Sequence, residues 1–188
     1  CRSTGRICLF TNTGQLHTIK VTDIPFGKFR DKGQPVDNIS NYSSAAENIV
    51  KIASQSELNL YRLLFVTKQG MCKIVSGGEF DVTKRTVAAT KLGEEDELLD
   101  IEVVTEHQHI ILQSKDGYFL RFDTDEISEL KKTAVGVRGM RLGSNDYIEQ
   151  VHYCQPGSDS TIPYKEKLVP INKLKVNKRD SKGTKIRV

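Results

Sequence analysis

Residues 63–75 read LLFVTKQGMCKIV, which is an apolar run, a polar turn that ends in glycine, and a second apolar run. Two more stretches follow the same plan, ICLFTNTGQLHTI at 7–19 and IILQSKDGYFLRF at 110–122. Glycine at the end of the turn supplies the positive φ that a tight hairpin requires. Apolar and β-branched residues on both sides favour strands, and the 3.6-residue spacing of an amphipathic helix is missing. Each stretch therefore predicts a β-hairpin.

The hairpin stretches recur at a regular interval. Gly70 and Gly117 are 47 positions apart, and the step from Gly14 to Gly70 is 56, so the first unit carries an insertion that we place at 41–48. Short strands repeated at this period are typical of a propeller-like array, in which blades stack to bury their faces. We predict an all-β fold with about four four-stranded blades in one domain. The domain spans 1–188, with approximate units 5–58, 59–105, 106–154 and 160–188.

The two ends of the chain differ from its middle. The last unit has a shortened hairpin, which we place at 162–169, where Pro163 and Pro170 favour an edge strand. The chain begins with Cys1 rather than methionine. We therefore expect a piece of a longer protein.

Basic residues recur with the same period. Lys84-Arg85, Lys131-Lys132 and Lys178-Arg179 follow one another at 47-residue steps, each after a hairpin. Although the net charge is only +4, residues 160–188 hold nine Lys and Arg against two Asp and Glu, and an acidic cluster lies at 94–97. A basic tail alone indicates little, but basic residues in register favour a polyanionic partner.

Several motifs resemble one known family. Residues 64–70, LFVTKQG, resemble a hairpin of the C-terminal domain of the A subunits of DNA gyrase and topoisomerase IV. Residues 135–146, VGVRGMRLGSND, match that family's G-V-R-G-[IM]-[RK]-L followed by an acidic turn, and 89–98 falls at the equivalent place one blade earlier. The first unit resembles the family's second blade. The Gln-Arg-Arg-Gly-Gly-[Arg/Lys]-Gly box of gyrase does not occur in this sequence.

The resemblance implies a β-pinwheel, a propeller-shaped disc whose neighbouring blades exchange strands and which commonly has five or six blades. It also implies that duplex DNA is bound without sequence specificity and bent around a basic rim, through phosphate contacts. The acidic residues 94–97 would face away from the DNA or mark where it leaves the disc. The candidate DNA-binding residues are Lys28, Arg30, Lys32, Lys84, Arg85, Lys131, Lys132, Arg138, Arg141, Lys178, Arg179, Lys182, Lys185 and Arg187.

The family resemblance also sets expectations for the whole enzyme. The parent would be an ATP-dependent type II DNA topoisomerase of the bacterial cytoplasm, associated with the nucleoid. Its partners would be the ATPase B subunit together with the remaining domains of its own polypeptide. ATP and Mg would be used through those other parts, so we expect neither a cofactor nor a catalytic residue in this piece. No apolar run approaches the roughly 20 residues of a membrane span.

Other functions remain as alternatives. A β-propeller that binds protein as a scaffold, without DNA, shares the repeat but does not predict basic residues in register, and a small β-barrel enzyme lacks a catalytic constellation. His107 and His109 have no third ligand nearby, so a turn leading into a strand is favoured over a metal site. The cysteines, which form no C-x-x-C pair, are expected to be reduced and buried. They are Cys1, Cys8, Cys72 and Cys154.

Overall fold

The computed structural model describes residues 3–187 and confirms the all-β prediction. The strands in this part are β1 Arg6–Thr11, β2 Gln15–Lys20, β3 Ile49–Ser54, β4 Arg62–Thr67, β5 Met71–Ser76, β6 Thr86–Ala88, β7 Leu98–Val103, β8 His109–Ser114, β9 Tyr118–Asp123, β10 Val137–Arg138, β11 Ile148–Cys154, β12 Thr161–Tyr164, β13 Lys167–Pro170 and β14 Thr184–Lys185. The helical segments among the same residues are α1 Gln55–Leu58 and 3-10 turns at Val21–Asp23, Val36–Asn38, Gly77–Phe80, Thr124–Glu126 and Ile171–Lys173.

The three predicted hairpins are confirmed. β1 pairs with β2, β4 with β5 and β8 with β9, all antiparallel. Gly14, Gly70 and Gly117 end their turns with φ of 76°, 78° and 82°, in the left-handed region that a side chain would strain. A Cβ at Gly117 would also collide with the Tyr164 hydroxyl of the last hairpin. The glycines therefore permit both the turn and the close approach of the next blade.

Each of these hairpins is extended on both sides into a four-stranded sheet. On one side lies the next strand of the same unit, with β3 beside β1, β7 beside β4 and β11 beside β8. On the other side lies a strand of the following unit, with β6 beside β2, β10 beside β5 and β14 beside β9. Neighbouring blades therefore exchange strands, and each sheet is offset by one strand from the repeat unit of the sequence.

The inner edges of the sheets meet each other. β7 contacts both β3 and β11. Lys51 of β3 pairs with Glu102 of β7, with Nζ 3.5 Å from Oε2, and the Tyr153 hydroxyl of β11 donates to Asp100 Oδ2 of β7 at 2.7 Å. Burial raises the pKa of the Asp100 carboxyl. The sheets thus radiate from these inner strands, and the exchanged strands β6, β10 and β14 form the outer edges.

Apolar side chains fill the spaces between successive sheets. Phe10, Phe65 and Phe80 pack between the first and second sheets, with ring centroids 5.2–6.1 Å apart. Phe119 of the third sheet packs on Tyr164 of β12, with centroids 5.2 Å apart. Each blade therefore buries faces that it would expose if it were alone.

The last unit contains the shortened hairpin that the sequence predicted, but its sheet has two strands rather than four among the described residues. β12 pairs antiparallel with β13, so both strands are edges of their sheet among the described residues. Pro163 and Pro170, which cannot donate to a ladder, lie in these strands.

A carboxylate at one repeat position holds the segment that each blade receives from its neighbour. Asp23, Glu79 and Glu126 lie in the 3-10 turn directly after a hairpin, and they are separated by 56 and 47 residues, like the hairpins themselves. Each contacts a basic residue of the following unit, and we call these three contacts the carboxylate latches. They are Asp23 Oδ2 to Arg85 Nη2 at 3.6 Å, the Lys132 amide to Glu79 Oε2 at 3.0 Å, and the Arg179 amide to Glu126 Oε2 at 3.0 Å.

The latch at Glu79 has the most contacts of the three. Lys131 Nζ lies 3.3 Å from Glu79 Oε1, and Lys132 Nζ donates to the Glu79 carbonyl oxygen at 3.0 Å. Burial opposes ionisation of Glu79, but the Lys132 amide and the Lys131 ammonium outweigh it and hold its pKa below the ordinary value.

Lys73 of β5 is buried beneath the same received segment. Its Nζ donates to the carbonyl oxygens of Lys131, Lys132 and Ala134 at 3.4, 2.9 and 2.6 Å, and it lies 5.8 Å from the Phe65 ring centroid. Burial lowers the pKa of Lys73 from 10.5 to about 8. A buried ammonium thus satisfies three carbonyl groups of a loop that has little regular structure.

We predict that Glu79→Gln lowers the free energy of unfolding by about 1 kcal/mol at neutral pH, since a partly exposed ionic contact is lost. Because the folded-state pKa of Glu79 lies below the ordinary value of 4.5, the difference should be complete above pH 4.5 and vanish as pH falls through the folded-state value. Urea unfolding at several pH values measures it. Glu106→Gln, at an exposed turn residue, is the matched control, and an equal loss there would contradict the latch.

Lys73→Met should destabilise the domain by about 1–3 kcal/mol at pH 7, because three carbonyl groups lose their donor. Between pH 8 and 10.5 the unfolded state of the wild type binds this proton more tightly than the folded state. Its stability should therefore rise relative to Lys73→Met across that window. Unfolding curves from pH 7 to 10 measure the difference, with Lys91→Met as the exposed control; a flat difference would rule out Lys73 as the titrating group.

Candidate nucleic-acid interface

The recurring basic pairs lie beside the second strand of each hairpin, at the outer edges of the sheets. The Thr18 amide of β2 donates to the Arg85 carbonyl oxygen at 2.8 Å, and its hydroxyl donates to the Lys84 carbonyl oxygen at 2.9 Å. The second pair stands beside β5 through the Lys73 contacts, and the third beside β9, where the Asn177 amide donates to the Arg121 carbonyl oxygen at 2.8 Å. The received segments therefore carry basic residues to equivalent places in three blades.

The candidate residues divide by what their side chains contact. Six are engaged with protein groups: Arg85, Lys131 and Lys132 through the carboxylate latches, Arg138 and Arg141 with Asp180, and Arg179 with the carbonyl oxygens of Glu126 and Arg138. The other eight make no ion pair within residues 3–187. They are Lys28, Arg30, Lys32, Lys84, Lys178, Lys182, Lys185 and Arg187.

Two of these eight cations, Lys182 and Lys185, gather around one aromatic ring. Lys182 Nζ and Lys185 Nζ lie 4.6 and 5.2 Å from the Tyr118 ring centroid. Lys185 belongs to β14 and is opposite Tyr118 in the ladder. Cation–π contact of this kind orients the two ammonium groups without neutralising their charge.

Lys28, Arg30 and Lys32 are placed differently. They lie on the exposed loop that follows β2, which is longer in the first unit than in the others, and not on an exchanged strand. The base of this loop is joined to the outer edge of the first sheet by the Asp23–Arg85 contact.

The acidic cluster lies at the hairpin turns, where it joins one blade to the next. Asp96 Oδ1 accepts the amide hydrogens of Gln69 and Glu97 at 2.9 and 2.8 Å. Glu97 accepts from Asn12 Nδ2 at 2.9 Å and pairs with Lys68 at 3.1 Å, and these contacts keep its pKa low. The carboxylates of Asp96 and Glu97 are thus occupied by turns of neighbouring hairpins.

Sequence reasoning missed the acidic partners of the basic pairs. Asp23, Glu79 and Glu126 repeat in the same register as the hairpin glycines, so the count that found the basic pairs could have found them. The orienting role of Tyr118 had no signal in the sequence, because it depends on the strand that arrives from the next unit.

His107 and His109 bear on whether the domain has a metal site. His107 lies in a turn with φ of 55°, and His109 begins β8, where burial and the Arg121 guanidinium lower its pKa. No group of three or more His, Cys, Asp or Glu side chains in residues 3–187 is placed to hold a metal ion. None of the helices in that range is long and apolar enough to cross a membrane.

The cysteine prediction is confirmed for two residues. Cys8 and Cys72 are buried free thiols, and burial raises the pKa of each to about 12, which keeps them protonated. Cys154 is free and half-buried. Cys1 lies outside the described residues.

Comparison with known proteins agrees with this architecture. Residues 61–105 and 108–155 match the family model described as DNA gyrase C-terminal domain, beta-propeller. The DNA gyrase A subunit of Lawsonia intracellularis is 28% identical over 93% of this chain and 21% of its own length. The corresponding protein of Helicobacter pylori is 30% identical over 78% of this chain and 18% of its own length. The chain thus spans about a fifth of the length of these relatives.

Solved structures show the same fold. The C-terminal domain of DNA topoisomerase IV superposes with a TM-score of 0.86 at 26% identity, over 97% of this chain and 58% of that one. The E. coli ParC C-terminal domain has a TM-score of 0.79 at 17% identity, over 100% of this chain and 78% of that one, and shows the fold alone. With its exchanged strands and its matched repeats, the chain belongs to the family of β-pinwheel C-terminal domains of DNA gyrase and topoisomerase IV A subunits.

Proposed function

We propose that this domain binds duplex DNA without sequence specificity and bends it along the outer edges of its sheets. The observation that carries the proposal is that eight of the fourteen candidate basic side chains make no ion pair within the described residues. Duplex DNA carries about one charge per 1.7 Å of axis, so cations along a curved edge can follow its phosphates. Such contacts hold the backbone and read no bases.

The contacts of the basic residues support a model in which some of them stabilise the fold and others bind DNA. Arg85, Lys132 and Arg179 hold received segments in place through the latches. Lys84 and Lys178, their immediate neighbours, are exposed and free of ion pairs in residues 3–187, so they are the members of the pairs that would contact phosphate. Bending a site of 20–30 base pairs costs roughly 1–6 kcal/mol, which many such contacts together would offset.

The domain would serve a larger enzyme. We infer that it forms part of the A subunit of a bacterial ATP-dependent type II DNA topoisomerase, delivering bent DNA to the catalytic core in the cytoplasm. The ATPase B subunit and the remaining domains of the same polypeptide would be its partners and would use the ATP and Mg. The domain itself would contribute binding and no catalytic residue.

The proposal predicts binding that weakens steeply with salt. Each neutralised phosphate contributes about −0.9 to the slope of log affinity against log salt, so a slope of roughly −7 is expected if all eight cations take part. Gel-shift titrations of the purified chain with two duplexes of unrelated sequence, at several salt concentrations, measure it. Absence of binding at low salt, or affinity indifferent to salt, would reject the proposal.

Replacing Lys84 and Lys178 together by Glu should weaken binding to both duplexes alike, by roughly 10-fold or more, and reduce the salt slope by about 2. The reason is that both side chains are exposed and lack ion pairs within the described structure, so their loss removes phosphate contacts and leaves the latches intact. Lys115→Glu with Lys165→Glu, which makes the same charge change at two hairpin turns, is the matched control. Equal losses in both double variants would point to net charge alone.

A further inference from the structure

The long loop of the first unit exposes two phenylalanine side chains. Phe26 and Phe29 have relative exposures of 100% and 105%, so neither ring is covered by the protein. A phenylalanine brings about 150–250 Å² to an interface when it is buried. Two adjacent uncovered rings on a folded domain therefore indicate a surface that meets a partner.

The tip of this loop is a defined turn. The Asp31 amide donates to the Lys28 carbonyl oxygen at 3.0 Å, which closes a β-turn, and the Lys28 amide donates to Asp31 Oδ2 at 2.6 Å. Phe29 and Arg30 occupy the two central positions. The turn thus carries an aromatic residue and an arginine at its apex.

The surroundings of the two rings are basic. Lys28, Arg30 and Lys32 lie within this stretch and make no ion pair among residues 3–187, while the one carboxylate, Asp31, is directed back to a backbone amide. A protein-binding site of this size would be expected to surround its aromatic residues with mixed polar groups. An apolar tip flanked by unpaired cations instead complements a polyanion with an apolar interior, which is the chemistry of stacked bases between phosphates.

The loop is also anchored beside the edge that we assign to DNA. The Asn41 side-chain amide donates to Thr86 Oγ1 of β6 at 3.0 Å. Glu47, at the end of the inserted segment, lies 2.7 Å from His17 Nε2 of β2. Together with the Asp23–Arg85 contact, these bonds fix both ends of the segment to the outer half of the first sheet. The tip of the loop therefore extends from the outer edge of the first sheet, along which we propose that the DNA runs.

We propose that the Phe26–Phe29 loop is an intercalating wedge, which inserts the Phe29 ring between base pairs from the minor groove while Lys28 and Arg30 contact the adjoining phosphates. Phe26 would cover the sugar edge behind it. Proteins that insert apolar side chains in this way unstack one base step and kink the duplex by about 20–90°. This inference rests on the proposed DNA binding and adds a localised kink to the smooth bend that phosphate contacts alone would give.

The test measures bending and unstacking separately from binding. An end-labelled duplex of about 30 base pairs reports bending by energy transfer, and 2-aminopurine at successive positions reports unstacking by its fluorescence. With the wild-type chain we expect both signals. Phe26→Ala with Phe29→Ala should abolish the unstacking signal, reduce the bend and weaken binding about 10-fold or more, while leaving the salt slope unchanged because the cations remain.

Two controls separate a wedge from a structural role. Phe29→Leu keeps an apolar side chain that can wedge, and should restore much of the unstacking. Leu60→Ala with Leu168→Ala removes two exposed apolar side chains elsewhere, at 75% and 67% exposure, and should change nothing.

The outcomes distinguish this inference from the function on which it rests. If the Phe26→Ala, Phe29→Ala variant binds and bends DNA as well as the wild type, or if the wild type gives no unstacking at any position, the wedge is overturned and the proposed function stands. In that case the rings serve another partner, such as a protein surface. Failure of the wild type to bind any duplex overturns both.

Discussion

The exchange of one strand between neighbouring units is the constraint on which the rest of this structure depends. A hairpin such as β4–β5 has an open ladder beside β5 until β10 arrives from the next unit. An exposed ladder of unpaired amide and carbonyl groups is a liability in any β protein. Here the arrival of the exchanged strand removes that open edge and brings a new segment across the outer side of the blade. It also places the next hairpin against the apolar face of the sheet. Pairing, stacking and the position of the charged loops therefore form together.

The received strands are short, which explains why they need additional fastening. β10 and β14 have two residues each and β6 has three, too few for a ladder to hold alone. The carboxylate latches and the buried Lys73 provide side-chain bonds to the segments just before these strands. Basic residues in register thus have a structural task as well as a functional one, and recurrence by itself does not distinguish them. Their contacts do, because a guanidinium that already holds two carbonyl oxygens, as in Arg179, has less to offer a phosphate.

Local features of the fold were predictable from the sequence, and the long-range ones were not. The hairpins followed from apolar runs around Gly14, Gly70 and Gly117, because a turn and its flanking strands are encoded within about thirteen neighbouring residues. The exchange of strands came from family resemblance, since residues 137–138 carry no mark that says which hairpin they will join. The basic positions were found by counting, but their division into engaged and unengaged side chains depends on groups 39 to 62 residues away in the chain. The exposure of Phe26 and Phe29 had no mark in the sequence, since aromatic side chains are more often buried than exposed.

The register of the received strands has a consequence for how such a domain changes in length. Ala88, Arg138 and Lys185 each stand opposite the residue that directly follows a hairpin glycine, namely Gln15, Met71 and Tyr118. The docking place is therefore equivalent in these three blades, and a strand from one unit would find the same ladder in another. Duplication or loss of a whole repeat during evolution would leave every internal hairpin with a strand to complete it. Arrays with different numbers of blades can thus arise by gene rearrangement in single steps, without passing through an intermediate that has an unpaired edge inside the disc.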